Sequence, residues 1–270
     1  MNIPHSALIM LRLLALTMTA TLLSVLAFLR NGIWLDELSL WGDTLTKTTT
    51  KARGYRVYAD TLRKEKRLNE AKIYYERSYA LQPASPLTVN NLGVVYEDLG
   101  FLDRALDLYR KANALKPDYP DPFNNIGNIA MKRKNLDEAI RYFKMAAQIQ
   151  VNPEYYYNLG TAYLGKENLN EAMTWIQKAL VLKDDLPYAH TNLGIIYYLK
   201  DSPERAIAEF KRALEINPDH VEAHANLGIL YHDVVKDDLK ALSHLKRSLE
   251  LDPHLPQAET IRGMIREIEK

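Results

Sequence analysis

Small and apolar residues recur along this chain with a period of 33 or 34 residues. The clearest marker is a glycine that follows Asn-Leu or Asn-Ile, at Gly93, Gly127, Gly160, Gly194 and Gly228. An apolar residue, an alanine, a second apolar residue and a second small residue then follow at nearly constant offsets. A fixed period of this length indicates a repeat array, in which each unit buries its apolar face against the next.

Within each unit the apolar residues lie three and four positions apart, the spacing that places them on one stripe of an α-helix. The pattern predicts two helices per unit, which we call A and B. The glycine is predicted to let helix A lie close to helix B, and polar segments such as Lys166-Glu167-Asn168 form the turn between them. Proline residues such as Pro117 and Pro218 are expected to end the B helices.

These recurring positions resemble the tetratricopeptide repeat family. The resemblance covers residues 52–254 and implies an all-α, right-handed superhelix whose A helices line a concave groove. The first repeat has Ala59 in the glycine slot, and the sixth has one extra residue, which we place in the A–B turn near residues 235–238. The predicted repeats are 52–85, 86–119, 120–152, 153–186, 187–220 and 221–254, with residues 255–270 as a capping helix.

The N-terminus has a different pattern. Residues 13–29 are an uncharged apolar run of 17 residues, which Ala7–Leu11 can lengthen. As a helix the run would extend roughly 26 Å, the short end for a membrane span. We predict that residues 1–30 form a membrane anchor, with residues 7–29 in the bilayer. A cleaved signal sequence is the alternative, with Val25 and Ala27 near the cleavage site.

Residues 31–51 are predicted to form a junction helix, because Trp34, Leu38, Trp41 and Leu45 would share one face. The segment Leu40–Thr44 is similar to the junction in multi-spanning membrane proteins with C-terminal tetratricopeptide repeats, a group that includes protein O-mannosyltransferases. That resemblance implies a single-pass membrane protein and favours extracytoplasmic repeats. The flanking charges leave the side of the membrane open, because Arg12 precedes the apolar run and Arg30 and Lys47 follow it. The chain lacks the many spans and the acidic loop that such transferases use, so no transferase activity is implied.

Composition and motifs further narrow the range of possible functions. The chain has no cysteine, which excludes disulfides, thiolate metal sites and cysteine nucleophiles. Its net charge of +1 gives no argument for nucleic-acid binding. Nucleophile elbows, phosphate loops and dinucleotide glycine motifs are all missing from the sequence. We therefore predict a protein that is not an enzyme and has no cofactor and no small-molecule substrate.

The candidate binding residues are a row of amides on the A helices. They lie two residues before each glycine, at Asn91, Asn125, Asn158, Asn192 and Asn226. An amide donates and accepts hydrogen bonds, so it can pair with the backbone of an extended peptide. A similar row holds peptide in O-linked N-acetylglucosamine transferase. The alternative is that these residues only bond neighbouring backbone.

Tyr157, Tyr188 and Tyr198 are predicted aromatic anchors in the same groove. The neighbouring groove positions of repeats two to six contain no lysine or arginine, which argues against a clamp for a C-terminal carboxylate. His220, His224 and His232 are four and eight residues apart, but they lack the further ligands of a zinc site. We predict packing and surface roles for them and no bound metal.

Together these patterns predict a membrane-tethered scaffold that binds an extended partner segment in the groove or braces a membrane complex. One alternative is an accessory, substrate-presenting subunit of a membrane glycosyltransferase. Another is a secreted or periplasmic repeat protein.

Overall fold

The computed structural model describes residue 23, residues 37–47 and residues 51–270, and it divides the chain into two compact units. Unit 1 ends at Leu115 and unit 2 covers Lys116–Lys270. The described helices of unit 1 are α1 Glu37–Lys47, α2 Ala52–Lys64, α3 Leu68–Leu81, α4 Pro86–Asp98 and α5 Leu102–Leu115. Those of unit 2 are α6 Pro120–Lys132, α7 Leu136–Ile149, α8 Pro153–Gly165, α9 Leu169–Leu182, α10 Pro187–Leu199, α11 Pro203–Ile216, α12 Val221–Leu230, a π-helix Tyr231–Val235, α13 Asp238–Leu251 and α14 Ala258–Ile268.

From α2 to α13 the helices alternate as A and B, and each A helix packs against the B helix that follows it. This confirms the prediction of an all-α helical-repeat solenoid. The right-handed superhelix and the division of the chain at the stated repeat boundaries stay predictions.

The helix-A glycines lie against large side chains of helix B, as the sequence pattern predicts. A Cβ atom added to Gly127 would come within 2.5 Å of the ring of Phe143, and one added to Gly194 within 2.6 Å of the ring of Phe210. At Gly160 the obstacles include backbone, with the nitrogen of Ile176 at 3.1 Å. Any side chain at these positions would therefore push the two helices apart.

Each A–B turn contains one residue with a left-handed backbone. This residue is Gly100 in the second pair, and the others are Lys66, Lys134, Glu167, Asp201 and Lys236, with φ between 56° and 63°. Because a left-handed conformation brings Cβ close to the following carbonyl oxygen, five of the six turns carry a local cost that glycine would remove.

The extra residue of the sixth repeat is absorbed at the end of its A helix. The helix continues past Leu230 as the π-helix Tyr231–Val235, and Lys236 then takes the left-handed position of the turn. A one-residue insertion in a helix commonly forms such a π-turn. The insertion therefore widens the last turn of helix A, slightly before the loop in which the sequence placed it.

Helix α1 lies within the predicted junction, residues 31–51, and packs on the first repeat. Leu45 is buried, and a Cβ added to Gly54 would lie 3.3 Å from it. Leu38 packs against the cluster that contains Ala59 and Leu62. These contacts account for the apolar face of α1 by packing within unit 1. Trp34 lies outside the described residues.

The predicted localisation as a single-pass membrane protein is corrected. Among the helices of residues 37–47 and 51–270, none combines the length and apolar character needed to cross a membrane. The paired α-helices have 10 to 14 residues, for example α12, α8 and α9, against the roughly 20 that a span requires. Apart from Leu23, the predicted anchor at residues 7–29 lies outside the described residues.

We expect Gly160→Ala to lower the free energy of unfolding by about 1–3 kcal/mol, because its Cβ would meet the Ile176 side chain and fixed backbone. Gly263→Ala is the matched control, since a Cβ at Gly263 would meet nothing within 4 Å. Because alanine favours a helix more than glycine does, Gly263→Ala should raise the free energy of unfolding by up to about 1 kcal/mol. Urea unfolding measures both values, and a Gly160→Ala protein as stable as the wild type would contradict the packing argument.

We expect Lys134→Gly to raise the free energy of unfolding by about 0.5–1 kcal/mol, because Lys134 is exposed and has φ 58°. The reverse change, Gly100→Ala at φ 85°, should lower it by about 1–2 kcal/mol. Gln148→Gly, at an exposed position within α7, controls for the flexibility of glycine and should destabilise. Equal effects of Lys134→Gly and Gln148→Gly in urea unfolding would rule out the turn argument.

Candidate functional site

The A helices of unit 2 carry four of the predicted asparagines at equivalent positions. Asn125, Asn158, Asn192 and Asn226 lie on α6, α8, α10 and α12, two residues before the helix-A glycine, and all are half-buried. Two residues correspond to about 200° around a helix, so these side chains point away from the B helices that the glycines contact. We call this surface of unit 2 the amide face.

Two of the amides bond to the preceding A helix. Nδ2 of Asn158 donates to Oδ1 of Asn124 at 2.9 Å. Nδ2 of Asn192 donates to Oγ1 of Thr161 at 3.1 Å. The acceptors are side chains of the neighbouring repeat rather than backbone, so the row connects adjacent repeats. Its role in peptide binding stays a prediction.

Asn91, the first predicted member of the row, lies in unit 1 within a different polar cluster. Its Nδ2 donates to Oδ1 of Asp60 at 3.0 Å. The same carboxylate forms an ion pair with Arg56 at 2.9 Å and accepts a hydrogen bond from the hydroxyl of Tyr75. Burial and the Asp60 carboxylate raise the pKa of Tyr75. Asn91 therefore helps to satisfy a partly buried carboxylate within unit 1.

The three predicted tyrosines have different surroundings. Tyr157 is half-buried beside Thr161 and Asn192, and burial raises its pKa although those two polar side chains favour the ionised form. Tyr188 is 56% exposed, and its ring meets that of His220 edge-on, with centroids 4.5 Å apart. Tyr198 is 43% exposed. Tyr188 and Tyr198 therefore offer aromatic surface to a partner, whereas Tyr157 packs within the amide face.

An apolar pocket of about 310 Å³ lies at the C-terminal end of the amide face. It combines A-helix residues of the fifth and sixth repeats with one residue of the B helix α11 and with the residue that precedes α14. Its lining is Ile195, Tyr198, Leu199, Phe210, Asn226, Ile229, Leu230 and Gln257. The pocket thus brings together two predicted site residues, Asn226 and Tyr198, with six that the sequence analysis did not select.

The three histidines considered above, His220, His224 and His232, are not brought together as a metal site. His224 pairs with His244 on α13, with 2.9 Å between the two Nδ1 atoms, and His232 pairs with Asp238. His220 is buried, and neither ring nitrogen has a hydrogen-bond partner. Its Nδ1 lies 3.1 Å from a carboxylate oxygen of Glu222, but outside hydrogen-bonding geometry. Within residues 37–47 and 51–270, no three His, Asp or Glu side chains are placed to hold a metal ion.

In five of the six repeats, the fourth residue of helix A pairs with a residue of helix B. In the first, third and fourth repeats the pair is aromatic: Tyr55 with Tyr74, Phe123 with Tyr142, and Tyr156 with Trp175. In the fifth repeat it is His190 with Glu209, at 2.7 Å, and in the sixth it is His224 with His244. Both A-helix histidines also place Nε2 near a backbone carbonyl six residues earlier, at 3.0 Å and 2.9 Å.

The two pairs respond oppositely to protonation. Burial disfavours the charged form of His190, but hydrogen bonds to the Glu209 carboxylate and the Asp184 carbonyl outweigh it and raise its pKa. Burial, with the nearby charges of His224 and Lys211, lowers the pKa of His244 to about 4.

Two of the pocket residues that the sequence analysis did not select could have been recognised from the sequence. Ile195 and Ile229 lie one position after the glycine, where the two preceding repeats have Asn128 and Thr161. A change from polar to apolar residues along one row indicates a local binding preference. The acceptors Asn124 and Thr161 carried no comparable signal, because their use depends on the distance between neighbouring repeats.

Models of the repeat family match several parts of the chain. Tetratricopeptide repeat models match residues 52–85, 90–150 and 153–185, and a TPR repeat model matches residues 203–234. No curated protein matches the sequence.

Several solved structures share the fold. The Cut9–Hcn1 hetero-tetramer of the APC/C matches with a TM-score of 0.76 and 20% identity over 87% of this chain, which spans 46% of that chain. PilF of Pseudomonas aeruginosa matches with a TM-score of 0.70 and 20% identity over 78% of this chain and 96% of its own. YrrB, described as a TPR protein with an unusual peptide-binding site, matches with a TM-score of 0.55 and 22% identity over 70% of this chain and 97% of its own.

The paired helices and their glycine contacts define an α-helical repeat protein. With the family matches, they place the chain in the tetratricopeptide repeat family. These findings give no support to a membrane anchor or to the resemblance of Leu40–Thr44 to the O-mannosyltransferase junction.

We expect the two histidine pairs to give opposite pH dependences of stability. Because the folded-state pKa of His244 is depressed from 6.5 to about 4, its contribution is lost as the pH falls through that window. Because the pKa of His190 is raised above 6.5, its contribution is present at low pH and is lost as the pH rises through the folded-state value.

The variant His244→Glu would give the sixth repeat the pair that the fifth repeat has. Between pH 6.5 and 4.5, the free energy of unfolding of the wild type should fall by roughly 1–2 kcal/mol more than that of this variant. The difference is no larger because His244 is only half-buried and solvent screens part of the effect. Urea midpoints measured across this range test the expectation, and parallel curves for the two proteins would contradict it.

Proposed function

We propose that this protein is an interaction scaffold that holds an extended segment of a partner protein along the amide face of unit 2. The observation that carries the proposal is the row of half-buried amides at Asn125, Asn158, Asn192 and Asn226, with exposed aromatic rings at Tyr188 and Tyr198. We assign no catalytic reaction to this surface.

The hydrogen-bonding capacity of the amides supports peptide binding. An asparagine side chain offers two N–H donors and an oxygen with two lone pairs. The bond from Asn158 to Asn124 uses one of those donors, which leaves the oxygen of Asn158 and its second N–H for a ligand. An extended peptide presents N–H and C=O groups whatever its side chains are, so such a row tolerates many sequences.

The fold comparisons support the proposal as an analogy. YrrB is described as having a peptide-binding site and Cut9 as part of a hetero-tetramer. Both therefore use this fold beside another chain or peptide. At 20% and 22% identity they carry the fold to this protein, whereas the ligand has to be argued from its own residues.

The alternative of an accessory glycosyltransferase subunit gains no support. It rested on the segment Leu40–Thr44, which lies within α1. Leu38 and Leu45, on either side of that segment, pack on the first repeat. This packing gives α1 a structural role at the start of the array.

We expect the double variant Asn125→Ala, Asn158→Ala to weaken peptide binding by roughly 1–3 kcal/mol, because two amide contacts with the peptide backbone are lost. The probe is a set of nine-residue peptides selected from a random display library on the wild-type full chain, with affinity measured by fluorescence anisotropy. Stability should fall by about 1 kcal/mol, because the bond between Asn158 and Asn124 is also removed.

Gln148→Ala is the matched control, because Gln148 is an exposed amide on the B helix α7. It should leave peptide affinity unchanged. The proposal fails if the library yields no peptide that binds the wild type, or if the selected peptides bind the double variant as tightly as the control.

A further inference from the structure

The pocket at the C-terminal end of the amide face differs from the rest of that face in polarity. Ile195 and Ile229 line it at the position where the two preceding repeats have Asn128 and Thr161. Phe210 and Leu230 are each 2% exposed and form its inner surface. A polar row therefore ends in an apolar cavity.

The rim of the pocket exposes two large side chains with apolar surface. Tyr198 is 43% exposed and Leu199 is 55% exposed, and both line the opening. Covering them would remove large apolar side chains from water, which is the main source of affinity in a peptide groove. A volume of about 310 Å³ lies at the small end of the range for ligand pockets. The size suits a single side chain better than a cofactor.

Two amide groups stand beside this apolar surface. Asn226 is the last member of the amide row, and Gln257 comes directly before α14. In an extended peptide, successive side chains point to opposite sides. One side chain can therefore enter the pocket while the adjoining backbone meets Asn226. The pocket is continuous with the site proposed above, and this inference rests on that proposed function.

The charged residues of the helices around the pocket bear on whether an acidic or a basic partner segment would bind. Neither α10 nor α12 contains lysine or arginine. Glu222, in the first turn of α12, and Asp233, in the π-helix, are exposed carboxylates. Arg262 of α14 is held by Glu259 and by the carbonyl oxygen of Pro253. Lys200, directly after Leu199, is exposed, and its Nζ donates to Oδ1 of Asn170 in the preceding repeat at 2.8 Å. An acidic partner segment would find no lysine or arginine on α10 or α12, whereas α12 and the π-helix that follows it present exposed carboxylates at Glu222 and Asp233.

We propose that this pocket takes one large aliphatic or aromatic side chain of an extended partner segment whose flanking residues are neutral or basic. The amide row holds the backbone of the segment, and the pocket sets its register. The fifth and sixth repeats therefore supply the sequence preference that the amides themselves lack.

The first test uses N-acetyl-phenylalaninamide as a probe of the full chain, with methyl NMR as the readout. The methyl signals of Leu199 and Leu230 should shift saturably, whereas N-acetyl-glutaminamide should leave them unmoved. In the variant Ile195→Thr, Ile229→Thr, which restores the polarity of the preceding repeats, the shifts should be lost. Val181→Thr makes the same kind of change at a residue 86% exposed on α9 and should retain them. Equal responses to both probes would overturn the proposal.

The second test uses the peptides selected on the wild type. One peptide position should accept only large apolar residues, and alanine there should weaken binding about tenfold or more. In the Ile195→Thr, Ile229→Thr variant the same alanine change should have little effect. Acidic residues introduced beside that position should weaken binding, and lysine should not.

The outcomes separate this inference from the proposed function. Peptides that need Asn125 and Asn158, but have no apolar position coupled to the pocket, would refute the inference and leave the scaffold function standing. A pocket that binds N-acetyl-phenylalaninamide in a chain that selects no peptide would refute the scaffold function. The pocket's preference for an apolar side chain would then remain.

Discussion

The close contact between a small residue on each A helix and a large side chain on the following B helix is the constraint on which the array depends. At Gly93, Gly127, Gly160, Gly194 and Gly228 an added Cβ would come within 2.5–2.7 Å of a side-chain atom. Ala59 takes the place of glycine in the first repeat and is fully buried. Because the asparagines lie about 200° around the same helices, the contact that closes each repeat also sets the direction in which the amides point.

The amide row connects binding to stability. Asn158 and Asn192 each bond to a side chain of the preceding repeat, so the groups proposed to hold a peptide also hold neighbouring A helices together. A ligand that adds hydrogen bonds to these amides would strengthen contacts that already cross the repeat boundary. Truncating the amides therefore affects both properties, and an exposed amide such as Gln148 is needed as a control.

The last two repeats of unit 2 differ from the others in two ways. Their A–B pair is titratable, with His190 beside Glu209 and His224 beside His244, whereas the third and fourth repeats pair two aromatic rings there. Their A-helix surface is also apolar at Ile195 and Ile229. The A helices that line the pocket, α10 and α12, are thus the same helices that carry His190 and His224.

The sequence by itself determined the repeat period, the all-α fold and the glycine contacts, because these follow from residue size and from spacing within one helical turn. It also located the extra residue of the sixth repeat to within a few positions. The tertiary structure alone decided which amides bond to which neighbours, that His224 pairs with His244, and that Ile195, Ile229 and Gln257 line one pocket. Those contacts join residues of different helices, and their distances depend on how the helices pack, which spacing along the chain does not encode.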